Sequence, residues 1–394
     1  MQTIDKAAVA GKRVLMRVDF NVPIADGTVT DDTRIRSSLP TIEHLLKEGA
    51  SVILLAHLGR PEGDGYEKEY SMAPVARVLG RLIDRDVKLV AHIADEETHK
   101  AAETLVPGEV MMLENLRFDP REKQNDEAFA RELASLADLY VNDAFGAAHR
   151  AHASMAAVTE FLPSYAGFLL AAEVDYLGHM LEAPERPFVA ILGGSKVSDK
   201  IQVIDSLLDV VDVLIIGGAM CFTFLLAKSY SVGISLKEEE WVDPAAAMLN
   251  KAAEKGVKLL LPVDVIAAES LTEGATSRVY DVDEIPDDLM GLDVGPVTCE
   301  LFSKEIAAAH TVYWNGPMGV FELKHFENGT RQIARAVAKN EAATTVIGGG
   351  DSIAAVKKFG YEEQVTFIST GGGASMRMLE GKPLPCVEAL KREV

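Results

Sequence analysis

A chain of 394 residues, 48% of them apolar, is long enough for about two domains with a core each. Its formal net charge of −21, with no basic block to offset it, argues against nucleic-acid binding and leaves any anionic ligand dependent on a local cluster of cations inside a cleft. Cys221, Cys299 and Cys386 lie far apart with no C-x-x-C pair, the N-terminus lacks the apolar core of a signal peptide, and no run approaches the ~20 apolar residues of a membrane span, so a soluble cytoplasmic protein is expected.

The first half alternates short β-branched runs with amphipathic stretches: strands over 13–19, 51–56, 88–90, 110–113 and 139–142, helices over 39–48, 72–83 and 126–137. Strand and helix in turn predict a parallel sheet, whose ligands lie outside the carboxyl ends of the strands. Asp19, His57, Asn115 and Asp143 fall at those ends. Near 160–188 the pattern breaks into FLPSYAGF, a helical LLAAEVDYLGHMLE and the loop APERP. This predicts a first domain over 1–168, a connecting helix over 169–184 and a second domain over 185–380.

A second alternating series follows: PFVAIL, the helical DKIQVIDSLLDV, VDVLIIGG, a helix over 243–255 and VKLLLPVDV. After an Asp/Pro-rich stretch, 281–296, it resumes with HTVYWNG, a helix over 328–339, TTVIGGG and QVTFISTGGG. Two doubly wound parallel-sheet domains of the α/β class are the economical reading.

The chemistry-bearing residues cluster at the strand ends. RVDFNVP places Asp19, Phe20 and Asn21 after the first strand, and HLGRP places His57, Leu58, Gly59 and Arg60 after the next. Arg34 stands just before a helix, Arg117 follows a third strand, and His149 and Arg150 follow a fourth. Singly these arginines read as solvated charges. Together they make a basic pocket, because guanidinium forks grip carboxylate and phosphate bidentately. This half should bind a small, highly anionic molecule.

In the second half Lys196 and Lys200 stand four apart beyond Gly193-Gly194, a spacing that puts both on one helix face. Gly217 and Gly218 end the next strand, where a flat nucleobase could lie against bare backbone. Asn315 and Glu322 occupy a turn-rich loop, with Glu322 suited to ribose hydroxyls. Two glycine triplets, Gly348-Gly349-Gly350-Asp351-Ser352 and Gly371-Gly372-Gly373-Ala374-Ser375, each open a helix after a strand, where unpaired N–H groups and the dipole favour an anion. Asp351 is the best magnesium candidate, since Mg²⁺ on nucleotide phosphates needs only one or two carboxylates.

RVDFNVP, DDTRIR, HLGRP, ENLRF, NDAFG with HRAHAS, LGGSKVSDK, WNGPMGVFE, GGGDS and STGGGAS, in that order, resemble the phosphoglycerate kinases of glycolysis. The resemblance implies a two-domain hinge enzyme, expected to be a monomer, that exchanges a phosphoryl group between 1,3-bisphosphoglycerate with MgADP and 3-phosphoglycerate with MgATP. It implies triose binding by Asp19, Phe20, Asn21, Arg34, the His57 to Arg60 loop, Arg117 and Arg150. Nucleotide would be held by Gly193, Gly217, Gly218, Lys200, Leu292, Asn315, Glu322 and Gly349 to Ser352, with Asp351 on magnesium. Arg34, Lys196 and Gly371 to Gly373 would surround the group in transit, and a tail over about 381–394 would return to the first domain. Ala219, Ile234 and Ala156-Ala157 depart from the family pattern, the second at a position where lysine is common.

The chemistry agrees with that reading. A carboxylate nucleophile with an ordinary pKa of roughly 3.5 is ionised at neutral pH and needs no general base. Two alternatives are weaker. A nicotinamide-dependent dehydrogenase would need a G-x-G-x-x-G, which is absent, and a two-lobed anion-binding protein would need neither the lysine pair nor Asp351.

Overall fold

The computed structural model describes residues 1–93 and 95–392. The chain divides into two compact units, Met1–Asp175 with Pro383–Val394, and Tyr176–Lys382, so the division falls inside the helix Phe168–Glu182. The tail helix Pro385–Leu390 belongs to the first unit, where Cys386 is fully buried and its N–H donates to Ala148 O at 3.3 Å. The last two residues of the predicted tail lie outside the described ones. No helix among the described residues is long and apolar enough to cross a membrane.

The first unit is built on β1 (Arg13–Arg17), β2 (Ser51–Leu55), β3 (Val87–Val90), β4 (Val110–Leu113), β5 (Leu139–Asn142) and β6 (Ser164–Ala166). They form one parallel sheet in the order β3-β4-β2-β1-β5-β6. The central strands are buried along their whole length, as a sheet covered on both faces requires. Val14, Met16, Val52, Leu54, Val110 and Met112 join one core with Val75 and Leu79 of the helix Ala73–Ile83. Burying each of those helix side chains contributes about 1.5–3 kcal/mol. Register then sets the site, because Arg17 pairs with both Leu55 and Asn142, so the residues that follow all three strands emerge side by side.

At that edge Asp143, fully buried, caps the connecting helix by accepting from Leu169 and Leu170 N–H at 2.9 and 3.3 Å. Burial pushes its carboxyl up to about 7 against those bonds. The preceding Gly167 packs so closely that a Cβ there would run into the Asp143 carboxylate.

The second unit holds a parallel sheet of β7 (Phe188–Leu192), β8 (Val213–Ile216), β9 (Lys258–Leu260), β13 (Thr311–Asn315), β14 (Thr344–Gly348) and β15 (Phe367–Ile368), and a separate antiparallel sheet of β10 (Asp264–Ala268), β11 (Ser277–Asp281) and β12 (Met290–Val294). Their orders are β9-β8-β7-β13-β14-β15 and β11-β10-β12.

The antiparallel sheet corrects two sequence expectations. The run VKLLLPVDV is not one strand: Pro262, which has no N–H for a ladder, separates β9 from β10, and the two lie in different sheets. The Asp/Pro-rich stretch is not all loop, since it contains β12, which pairs with β10. Buried Asp264 fixes the turn by capping the helix Pro296–Ala308, accepting from Thr298 N–H at 2.8 Å and Val297 N–H at 3.0 Å.

Candidate functional site

In the first unit one chain of contacts links the ends of four elements. Arg34 Nη1 donates to Asp19 Oδ2 and to Asn21 O, both at 3.1 Å. Asn21 Oδ1 takes the Gly59 N–H at 2.8 Å, and Gly59 O takes Arg117 Nη1 at 2.6 Å. Asn115 Nδ2 holds Leu58 O at 2.7 Å. Gly59 has φ +60° and packs on the Tyr70 ring, so no side chain fits there.

The arginines come together. Arg117 is pushed down to about 10 by burial and then by Arg150 and Arg17. Arg150 is pushed down by burial and, against the pull of Asp19, by Arg17, Arg60 and Arg34. A group of cations that destabilise one another's charge is a site waiting for an anion. Arg150 Nε also donates to His149 Nε2 at 3.1 Å, which places the predicted histidine beside its neighbour. Phe20 and Leu58 are different: both side chains lie in the apolar core, so only their backbone is at the pocket edge.

Arg17 is the residue that sequence reasoning passed over. It is fully buried and donates to Ser154 Oγ at 2.9 Å, to Val18 O, and to His57 Nδ1 at 3.0 Å. Guanidinium only donates, so His57 Nδ1 accepts and the ring proton sits on Nε2. Burial, then Arg17, Arg117 and Arg150, hold His57 well below its ordinary value, and it stays neutral. Behind Ser154 stands buried Glu122, accepting from Ser154 Oγ at 2.6 Å and N–H at 2.9 Å. The only signal for Arg17 was a charge inside an apolar strand.

In the second unit register again levels the strand ends: Leu192 pairs with Ile216 and Asn315, and Asn315 with Gly348. Above them lies a groove of about 330 Å³, lined among others by Gly194, Gly218, Phe222, Leu292, Glu322 and Asp351. Gly193 and Gly217 do not line it. Their bare Cα atoms make room for Gly316, Pro317 and Met318, with Gly193 N–H on Asn315 O at 2.9 Å, so both serve loop packing, and Gly217 is not the open face for a base that its strand-end position suggests.

Lys200 Nζ is held by Gly193 O at 2.7 Å, Asn315 O at 2.9 Å and Asn315 Oδ1 at 2.7 Å. Burial pushes it down to about 8, with Asp351 and Asp199 opposing. Asn315 and Ser352 therefore act from behind: the first anchors the lysine, and buried Ser352 takes the Gly316 N–H at 2.5 Å. Lys196 is exposed and makes no hydrogen bond or ion pair among the described residues.

The glycine triplets end neighbouring strands, since Ile347 pairs with Ile368. Gly349 has φ +86°, and a Cβ there would sit 3.0 Å from Asn315 Nδ2, whereas Gly350 faces open space. Asp351 follows in the first turn of the helix Gly350–Phe359 and makes no hydrogen bond among the described residues, which leaves its carboxylate open to a cation. Gly372, at φ +49°, opens the helix Gly373–Leu379. Ile234 is half-exposed and outside the groove lining. Asp293 was not foreseen. Burial pushes it up to about 7, and it accepts from Gly329 N–H at 2.7 Å at the floor of the groove.

The family model described as phosphoglycerate kinase matches residues 4–382. The phosphoglycerate kinase of Rubrobacter xylanophilus is 56% identical over 380 residues, 96% of this chain and 95% of that one. That of Moorella thermoacetica is 55% identical over 388 residues, 98% of both chains. Among solved structures, phosphoglycerate kinase from Coxiella burnetii aligns over 99% of this chain and 98% of its own with a TM-score of 0.91 at 44% identity. The Pyrococcus horikoshii enzyme aligns over 99% and 98% with a TM-score of 0.86 at 31% identity.

Proposed function

This chain belongs to the phosphoglycerate kinase family, and on that premise we propose which of its residues carry the reaction. The activity is the family's own, reversible phosphoryl transfer between 1,3-bisphosphoglycerate with ADP and 3-phosphoglycerate with ATP in glycolysis. The first unit takes the triose phosphate. Arg60, Arg117 and Arg150 neutralise its phosphate, His57 offers an uncharged Nε2–H, and Asp19 and Asn21 hold Arg34 where the carboxyl end reacts.

The second unit takes the nucleotide in the groove. Phe222 and Leu292 of the groove pack the base, Glu322 accepts from ribose, Gly194 and Gly218 of its lining meet the phosphates, and Gly350 and Lys200, outside that lining, complete the phosphate contacts. Asp351 would hold magnesium, which when bound would supply positive charge to the phosphate oxygens. Arg34, Lys196 and the amides opening at Gly371 to Gly373 stabilise the equatorial oxygens of the group in transit, which is what phosphoryl transfer asks of a protein. The acceptor carboxylate is ionised at neutral pH, so no residue removes a proton. Closure of the two units excludes water from the transfer. A cytoplasmic monomer fits this reading.

The observation that carries it is the convergence of Arg34, Arg60, Arg117 and Arg150 around buried Arg17 in the first unit, in a chain whose net charge is −21. Calorimetric titration tests it. Arg150→Ala should weaken 3-phosphoglycerate binding by at least about tenfold and leave MgADP binding unchanged. Equal losses for both ligands, or none for the triose, would refute the placement.

A further inference from the structure

Residues 228–241 form a strap after the helix Met220–Ala227, and the strap is anchored at several points. Ile234 N–H donates to Leu289 O at 3.0 Å, buried Ser235 takes the Gly291 N–H at 2.9 Å, and Glu238 N–H donates to the buried Thr223 hydroxyl at 3.1 Å. Gly233, at φ +56°, lies against the carbonyls of Pro286 and Leu289, where a Cβ has no room. Glu238 is thereby delivered to a fixed place.

There its carboxylate accepts from Ser198 Oγ at 2.6 Å and Ser198 N–H at 3.0 Å. Burial pulls Glu238 up, but the Ser198 and Val197 bonds and the Lys196 charge outweigh it and hold it below its ordinary value. Lys196 lies two residues before this gripped serine. Lys200, two residues after it, has three anchors of its own, all independent of Glu238.

We propose that Glu238 is a positioning residue for Lys196: its grip on the Ser198 amide and hydroxyl sets the turn that aims the Lys196 ammonium at the phosphoryl group. This rests on the role given to Lys196 above. Glu238 touches neither substrate. Its effect is confined to the exposed lysine, because the buried one is held from the other side.

Steady-state kinetics of the full chain with 3-phosphoglycerate and MgATP separate the possibilities, using Lys196→Ala, Glu238→Ala, Glu238→Gln and Ser198→Ala. Glu238→Ala should lower kcat by about 30-fold with KM for MgATP within about twofold, since misplacing a charge costs turnover while Lys200 keeps the nucleotide. Glu238→Gln, which keeps an acceptor for the Ser198 amide, should recover most of kcat, and Ser198→Ala should lose about threefold. These two variants keep the comparison decisive if Glu238→Ala does not fold. The proposal is overturned if kcat stays within about twofold of the unmodified chain in Glu238→Ala and Ser198→Ala while Lys196→Ala is crippled. It is also overturned if KM rises in step with the fall in kcat, or if Glu238→Gln loses as much as Glu238→Ala. A near-normal kcat for Lys196→Ala removes Lys196 from the reaction and overturns both readings.

Discussion

Lys200 ties nucleotide affinity to pH in a way that can be worked through from its surroundings. Its ammonium is buried on three acceptors and titrates at about 8 instead of 10.5. At pH 7 roughly ten chains in eleven carry the charge, and at pH 9 roughly one in eleven. A nucleotide that needs the charge should therefore bind about tenfold more weakly at pH 9 than at pH 7, equivalent to about 1.4 kcal/mol. Phosphate beside the amine raises its pKa, so binding at pH 9 should take up close to one proton, with about half a proton at pH 8. Calorimetry of MgADP binding in two buffers of different ionisation enthalpy reads that uptake, and Lys200→Met should abolish it. The residue acts on the fold in the opposite sense. Between about pH 8 and 10.5 the unfolded chain holds the extra proton, so a burial cost of roughly 3 kcal/mol is fully present below pH 8 and fades above it. Alkali should weaken the ligand while relieving the protein. No proton uptake at pH 9, together with an unchanged Kd between pH 7 and 9, would refute the reasoning.

Arg34→Ala should lower kcat by about 10²-fold or more, as loss of a donor to a transition-state oxygen does, with KM for nucleotide near normal; equal losses in both would take Arg34 out of the reaction. Gly349→Ala should lower the urea midpoint by an amount equivalent to about 1–3 kcal/mol, because its left-handed backbone and the Asn315 amide leave a Cβ no place. Gly350→Ala one residue on faces open space, so it should leave stability unchanged or slightly raised while raising KM for MgATP through loss of close backbone approach. A neutral Gly349→Ala in urea melts, or a Gly350→Ala with unaltered KM, contradicts that division.

Much of this was legible in the chain because strand and helix alternate in short periods. The predicted strand over 110–113 and that over 139–142 coincide with β4 and β5, and the helix over 328–339 with Asn328–Lys339. Arg60, Arg117 and Arg150 could be named since each comes soon after an apolar run. What the pattern could not carry was anything decided by packing between distant segments. Arg17 and Glu122 meet through Ser154 only once β1 and the segment after β5 are folded. Gly217 looks like bare floor for a base in the sequence, and only the fold shows that Met318 needs the space. The antiparallel sheet was hidden by its own acids and prolines, which locally read as turns. Glu238 stands in a run of three glutamates, and nothing local distinguishes the one whose carboxylate finds the Ser198 amide.

The first unit is assembled from both ends of the chain, with Pro385–Leu390 supplying buried Cys386, Val387 and Leu390. Its strands are made before the second unit, yet the helix that completes its core follows that unit in the chain. During synthesis the arginine-rich half must wait with an open seam beside Ala148, while the later half can complete its own core without help from the ends. The order in which the halves are written is thus the reverse of the order in which they can be finished, and a truncation of about ten residues at the far end would strike the half encoded at the beginning.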